Sequence, residues 1–324
     1  MITVEHLLAR RAHLAEVTKR RPARAYVPPK PRQPRAEQLA YTKLLLAATR
    51  ELTDAVRDEL RSAGLVVDAD GALGAIPPGK GAAIVARINA IADRVAAANR
   101  WLAPLDNIAD QVSRFSQREF EAQVRGAISK LGFERIAAKA MGIDLFRGDP
   151  ALARARDEFR RQNLDLIVSH VKSYTTQVTD ILAQAGGNTR VEDIRDRIME
   201  AAGASESHAA LIARDQVLKL NANITQTRHE AAGITQYVWR TSEDERVRPA
   251  HRLLDGTRQS YAQPPVVDPK RGRREHPGGD YQCRCTADPI IPGLDADAPT
   301  EPDKVTEESI ATVPPPWIHP LLRK

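Results

Sequence analysis

Between Ala36 and Gly233 the apolar residues recur every three or four positions, and a chain patterned this way has to build its body from helices. The first of these helices is predicted over 36–64, with Leu39, Leu46, Leu52, Val56 and Leu60 along one side and Gly64 closing its C-terminus. Helical patterns resume at 82–102, around 116–141 and at 150–185. Asn188 and Ser205 read as N-caps of two further helices, 191–202 and 206–232, the second ending at Gly233. Only 14 residues are aromatic and much of the apolar content is alanine, so the buried faces of these helices are thin. A length of 324 residues favours two domains.

The pattern changes after Gly233. ITQYVWRT (234–241) is β-branched and aromatic and reads as a strand, and Pro249 suits the first turn of a short helix ending at Asp255-Gly256. A Pro-rich loop, a basic loop (270–274), the turn HPGGD and a second strand candidate, YQCRCTADPII, follow. The expected fold is mainly α, a helical N-terminal body with a small α+β C-terminal module. Its expected divisions are a basic N-terminal helix and arm (1–36), the body (37–233), the module (234–292) and an acidic, Pro-rich tail (293–324). No stretch reaches the roughly 18 uncharged apolar residues that would cross a bilayer. The N-terminus is charged throughout, without the apolar core of a signal peptide, so cytoplasmic synthesis and residence are expected. Two cysteines cannot staple a secreted scaffold.

The net charge of +6 is local. Residues 1–36 hold nine Lys/Arg against Glu5 and Glu16, leaving 39 basic and 40 acidic residues in the rest of the chain. A weak stripe of Val4, Leu7, Leu8, Leu14 and Val17 comes first. Then Lys19, Arg20, Arg21, Arg24, Lys30, Arg32 and Arg35 share 17 residues with five prolines and no acid, which predicts an extended, polyproline-like arm. That arm is either a solvated linker or a nonspecific contact with the phosphates of double-stranded DNA. GAIPPGK (74–80) has the spacing of a phosphate loop, but Gly81 replaces the Ser/Thr that would hold Mg²⁺, so it reads as a Pro/Gly loop. At the C-terminus, PPPWIHPLLRK is either a disordered tail or a pre-extended peptide whose Trp317, Ile318 and Leu321 fill a partner's groove.

One further set carries chemistry: His251, His276, Cys283 and Cys285. If 281–286 is extended, both cysteines point to one side and Arg284 to the other. Two thiols and two imidazoles are the ligand types of a tetrahedral Zn²⁺ site, although C-x-C is not zinc-finger spacing. Reduced thiols in a small core and a Cys–His nucleophile pair are the competing readings, and a disulfide across one residue would be strained.

GITQYVWRTSEDERVRPAHRLLDGT followed by HPGGDYQCRC resembles the phage Mu F-like head-morphogenesis family, the minor head proteins of tailed phages. The matching elements are Gly233, Ile234, Trp239, Thr241, Asp244, Arg246, Arg248, His251, Asp255, Gly256, Pro277, Gly278, Cys283, Arg284 and Cys285. The insertion VVDPKRGRREH departs from the family pattern. The resemblance implies a low-copy virion component, made in the host cytoplasm and ending in the head interior. Its implied partners are the portal protein, capsid or scaffolding proteins and the packaged DNA, and no established reaction is implied. The alternative is a metal-dependent hydrolase, a nuclease or peptidase, using the His/Cys cluster.

Overall fold

The computed structural model describes residues 29, 31–62, 80–130, 150–184 and 191–290. The N-terminal stripe, Lys19, Arg20, Arg21, Arg24 and Lys30 of the arm, the loop around GAIPPG, Asn188 and the C-terminal tail lie outside these residues. Five long helices come first: α1 (Arg35–Ser62), α2 (Lys80–Val95), α3 (Leu102–Lys130), α4 (Pro150–Gln184) and α5 (Val191–Ala231). The module after them holds β1 (Gln236–Arg240), α6 (Pro249–Leu254), β2 (Arg258–Ser260), β3 (Val266–Asp268), β4 (Arg273–Arg274) and β5 (Thr286–Pro289). The architecture is thus mainly α with a small α/β region near the C-terminus, as the sequence predicts.

Three boundaries differ from the sequence reading, the first being the helix expected over 82–102, which ends at Val95. The helix expected from about Ser116 starts at Leu102, because Pro104 stands in its first turn, where a missing N–H costs nothing. The two helices expected around Ser205 are one helix of 41 residues. Ser205 caps nothing: it is buried, with its hydroxyl 3.2 Å from Nε2 of His170. Gly203 continues the helix with open space beside it.

The chain divides by packing into two units, and three of the long helices contribute to both. One unit comprises Arg35–Asp110 and Asp157–Gln216. Leu45, Leu52, Val56, Ile84, Ile88, Leu105, Ile167, Val171 and Val178 are all buried in it. Hydrogen bonds between α1 and α4 run through this apolar interior. The Tyr41 hydroxyl donates to Asn163 Oδ1 (2.6 Å), Thr49 Oγ1 lies 3.0 Å from His170 Nε2, and Thr53 bonds Tyr174 (3.1 Å). These partners advance together along both helices, so α1 and α4 run parallel. Where faces are rich in alanine, such buried pairs fix a register that apolar packing alone would leave loose. Trp101 closes the end of α2 by donating its indole N–H to Val95 O at 2.9 Å.

The other unit comprises the described residues within Met1–Pro34, Gln111–Arg156 and Val217–Lys324. In it β1 is the central strand of an antiparallel sheet of order β2-β1-β5, with Tyr237 opposite Gln259 and Trp239 opposite Ala287. β3 and β4 form a separate two-stranded hairpin. Its 3₁₀ turn, Pro269–Arg271, is closed by Gly272 in the left-handed region, φ 63°. Tyr237, Trp239, Leu254, Tyr261, Val267, Cys283, Cys285 and Ala287 make the module's core. α5 ends as expected at Gly233, φ 77°. Two buried side chains seat the module's helical support. Arg228 on α5 donates to the carbonyl (3.0 Å) and hydroxyl (3.1 Å) of Ser113 on α3, and His229 Nδ1 lies 2.6 Å from the Tyr261 hydroxyl.

Burial, with a smaller contribution from His208, lowers the pKa of His170 to about 4. The unfolded chain therefore binds this proton more readily than the folded one between about pH 6.5 and 4. Stability should be full above pH 6.5 and decline as pH falls through that window. Urea midpoints of the wild type between pH 7 and 5 should fall, and His170→Gln, which cannot take the proton, should flatten that decline.

Candidate metal centre

Three short segments of the module meet at one buried point: α6, the start of β4, and the turn leading into β5. Asp280, with its side chain fully buried, receives a cation from each of the first two. Arg248, just before α6, approaches Asp280 Oδ2 at 2.9 Å and donates a second bond to the Tyr281 carbonyl at 2.6 Å. Arg273 Nη1 approaches Oδ1 at 2.9 Å. His251, one helical turn after Arg248, places Nε2 3.3 Å from Oδ2. Burial alone would raise the Asp280 pKa. His251, the Tyr281 N–H, Arg248 and Arg273 outweigh it and hold the carboxyl below its ordinary range.

The other face of the same imidazole meets the cysteines. Nδ1 of His251 lies 3.5 Å from Cys283 Sγ and 3.6 Å from Cys285 Sγ. The sequence reading placed both thiols on a strand beginning at Tyr281, but β5 begins only at Thr286. Residues 280–283 make a turn instead, closed by Cys283 N–H to Asp280 O at 3.0 Å, with Gln282 left-handed at φ 53°. The predicted convergence survives this change: both sulfurs face His251, while Arg284 turns away to grip Asp244. Cys283 also accepts the Gly278 N–H at 3.4 Å. Hydrogen bonding from Cys285 and then the neighbouring His251 favour the Cys283 thiolate and lower its pKa, while Cys285 is pushed up by the same partnership and by burial. Burial opposes a charged His251, but Asp280 and Cys283 outweigh it and raise its pKa to about 8.

His251, Cys283 and Cys285 thus form a cluster able to coordinate a metal ion, with all three ligand atoms within 4.8 Å of one another. The separations fit the ion. Zn–S near 2.3 Å and Zn–N near 2.0 Å in a tetrahedron give an S···N edge of about 3.5 Å. With Nδ1 facing the metal, Asp280 on Nε2 would be the outer carboxylate that orients a metal-bound histidine. His276 stands apart from this group: its Nδ1 lies 2.9 Å from the Tyr237 hydroxyl, and its ring packs edge-on against Tyr237 and Tyr261. Among the described residues no fourth His, Cys, Asp or Glu joins the three. The order thiol, imidazole, carboxylate also has the connectivity of a nucleophilic triad. Cys283 is 3% exposed and His251 2%, however, so no substrate atom reaches that sulfur while the module is closed.

The remaining motif residues build the frame around this point. Trp239 is fully buried and packs edge-on against the His251 ring at 5.4 Å. Arg284 holds Asp244 with both Nη atoms, and the Asp244 carboxylate also accepts the Arg246 N–H at 3.0 Å. Asp255 accepts the Thr241 N–H at 2.8 Å, and Gly256, left-handed at φ 75°, donates to Trp239 O. Pro277 precedes Gly278, which is left-handed at φ 85° and lies against α5 so closely that a Cβ there would sit 2.8 Å from Ala222 Cβ. Asp280 and Arg273 were missed as site residues in the sequence. The only signal was an acid directly after the Pro-Gly-Gly turn, and nothing in the spacing pointed Arg273 toward it.

Of the arm, Arg32 is engaged within this unit: its backbone N–H, Nε and Nη2 all bond the Glu119 carboxylate at 2.6–2.9 Å. Gln33 donates to Arg284 O at 2.8 Å, and Arg35 opens α1 in the other unit.

Residues 176–288, the end of α4, all of α5 and nearly all of the module, match the family model of phage Mu protein F-like proteins. A Haemophilus influenzae protein named only as uncharacterized is 37% identical over 154 residues, which are 46% of this chain and 33% of that protein. The match thus spans one third of the relative's length. No solved structure matches the chain.

Gly256 and Gly278 are both left-handed, but only Gly278 is crowded. Gly256→Ala should therefore cost about 1 kcal/mol from backbone strain alone. Gly278→Ala should cost roughly 2–4 kcal/mol, because the Ala222 methyl must also move. Denaturant midpoints followed by tryptophan fluorescence will separate the two, and Ala222→Gly should recover part of the second loss.

Proposed function

We propose that this protein is a minor head protein of a tailed phage. It acts by binding at the portal vertex during head assembly and contacts packaged DNA through its basic arm. The observation that carries this reading is the Mu F-like domain in which each motif residue with a described contact is spent on internal architecture. Trp239, Asp244, Arg248, His251, Asp255, Gly278, Cys283, Arg284 and Cys285 all turn to one another or to adjacent backbone. A motif used in this way specifies a rigid binding module rather than a catalytic surface. Synthesis in the host cytoplasm and a final place inside the virion head accord with this reading, as does the absence, among the described residues, of a helix long and apolar enough to cross a membrane.

In the same reading His251, Cys283 and Cys285 supply three ligands of a Zn²⁺ that cross-links the module, with water in the fourth position. A module of about 60 residues is near the lower limit for a core without a cross-link. A metal joining α6 to the turn before β5 would supply one, because a ligand set assembled only on folding turns binding energy into folding energy. Protein purified without chelator or metal-affinity steps should carry about one zinc per chain, and the Cys283→Ser, Cys285→Ser double variant essentially none. The variant should melt lower by roughly 10 °C. A metal-free wild type with the same melt as the variant would leave two buried thiols and no staple. The assembly role is tested by coexpression with the portal protein of the same phage. Copurification of the two, and this chain in purified particles by mass spectrometry, is the expected result. Turnover of DNA or peptide by the purified chain would instead favour the hydrolase reading.

The arm is tested apart from the portal. Replacing Lys19, Arg20, Arg21, Arg24 and Lys30 by glutamine in the full chain should reduce duplex DNA affinity at low salt at least tenfold. The log–log salt slope should flatten by about 0.9 per lost phosphate contact.

A further inference from the structure

Outside the arm the chain is close to neutral, yet one surface of the module concentrates positive charge. An open groove of about 560 Å³ lies between the β3–β4 hairpin and α6. Four cations line it, Arg248, Lys270, Arg271 and Arg273, against a single lining carboxylate, Asp268. That carboxylate is already shared between Arg271 (3.9 Å) and Arg273 (3.7 Å). Of the other acids nearby, Asp280 is fully buried and pins Arg248 and Arg273 while presenting no negative surface, and Glu275, outside the lining, interacts with Arg273 and Asp280. The two pinned guanidiniums keep 40% and 39% of their side-chain surface exposed. Arg271 at the hairpin tip is 80% exposed, and Lys270 beside it makes no ion pair among the described residues. Tyr281, 53% exposed, stands in the wall with its ring uncovered.

We propose that this groove binds the phosphodiester backbone of duplex DNA, as a second contact independent of the N-terminal arm. Three of the four cations are arginines, whose planar forks match phosphate oxygens two at a time. Two of them are held in place by a buried carboxylate before any ligand arrives, so little side-chain freedom is lost on binding. The groove is open, which suits a contact to the backbone. The exposed pair at the hairpin tip, Lys270 and Arg271, then contacts the strand. An acidic protein surface is the rival partner. Its carboxylates would accept the same forks, so the choice of duplex rests on the reading of this chain as a DNA-contacting head protein, and competition with poly-glutamate decides it.

The proposal rests on the reading of this chain as a DNA-contacting head protein, but its test separates the two. Duplex affinity of the full chain is measured by fluorescence anisotropy across a salt series in four forms: intact, arm-neutralised as above, Lys270→Gln with Arg271→Gln, and both sets combined. Lys270 and Arg271 lie outside the core, so the hairpin variant should melt as the wild type does. The arm-neutralised chain should keep residual binding with a log–log slope of about −2 to −3, and the combined variant should lose it at least tenfold. Residual binding unchanged by the hairpin substitutions, or no residual binding once the arm is neutralised, overturns the groove and leaves the arm standing. Undiminished binding after arm neutralisation that the hairpin substitutions then abolish supports the groove and removes the arm. Poly-glutamate competing as well as duplex at equal charge concentration overturns the phosphate assignment in favour of an acidic protein.

Discussion

One buried carboxylate organises the C-terminal module. Asp280 lies where α6, the β3–β4 hairpin and the approach to β5 come together, and it takes Arg248, Arg273 and His251 from two of those segments. A buried charge left without partners would be very costly, so these partners are held as firmly as the carboxylate is hidden. Two consequences follow from the one arrangement. Inward, Asp280 faces Nε2 of His251, so that Nδ1 points at both thiols. Outward, it fixes two guanidiniums at the wall of an open groove. The thiol–imidazole cluster and the basic groove are therefore two faces of a single network.

The hairpin carries this coupling. The segment 266–276 becomes β3, a 3₁₀ turn and β4, and it delivers Arg273 to Asp280 while leaving Lys270 and Arg271 at the tip. The segment thus braces the site from one side and adds charge on the other. Elsewhere Arg32 and Gln33, at the end of the basic arm, bond Glu119 and the Arg284 carbonyl, the Arg32 side chain staying 75% exposed.

The sequence carried the helical body, the strand after Gly233, the short helix at Pro249 and the meeting of His251 with two cysteines. Those features depend on local periodicity, turn residues and side-chain alternation. What it did not reveal depends on tertiary contacts. Ser205 has the chemistry of an N-cap, and only its bond to His170 removes it from that role. His276 offers a ligand nitrogen, and only the nearby Tyr237 hydroxyl shows where that nitrogen is used. β3 and β4 are too short, and too rich in charge, to show a strand period. Asp280 is one acid among 42, distinguished only by the three cations that converge on it.

The account stands on the cluster being a metal centre, and X-ray absorption at the zinc edge tests that most directly. The full chain, purified after growth in zinc-supplemented medium, should show two sulfur scatterers near about 2.3 Å together with nitrogen or oxygen near about 2.0 Å. A first shell of nitrogen and oxygen alone, or the same spectrum from the Cys283→Ser, Cys285→Ser variant, would place any zinc elsewhere and contradict the account.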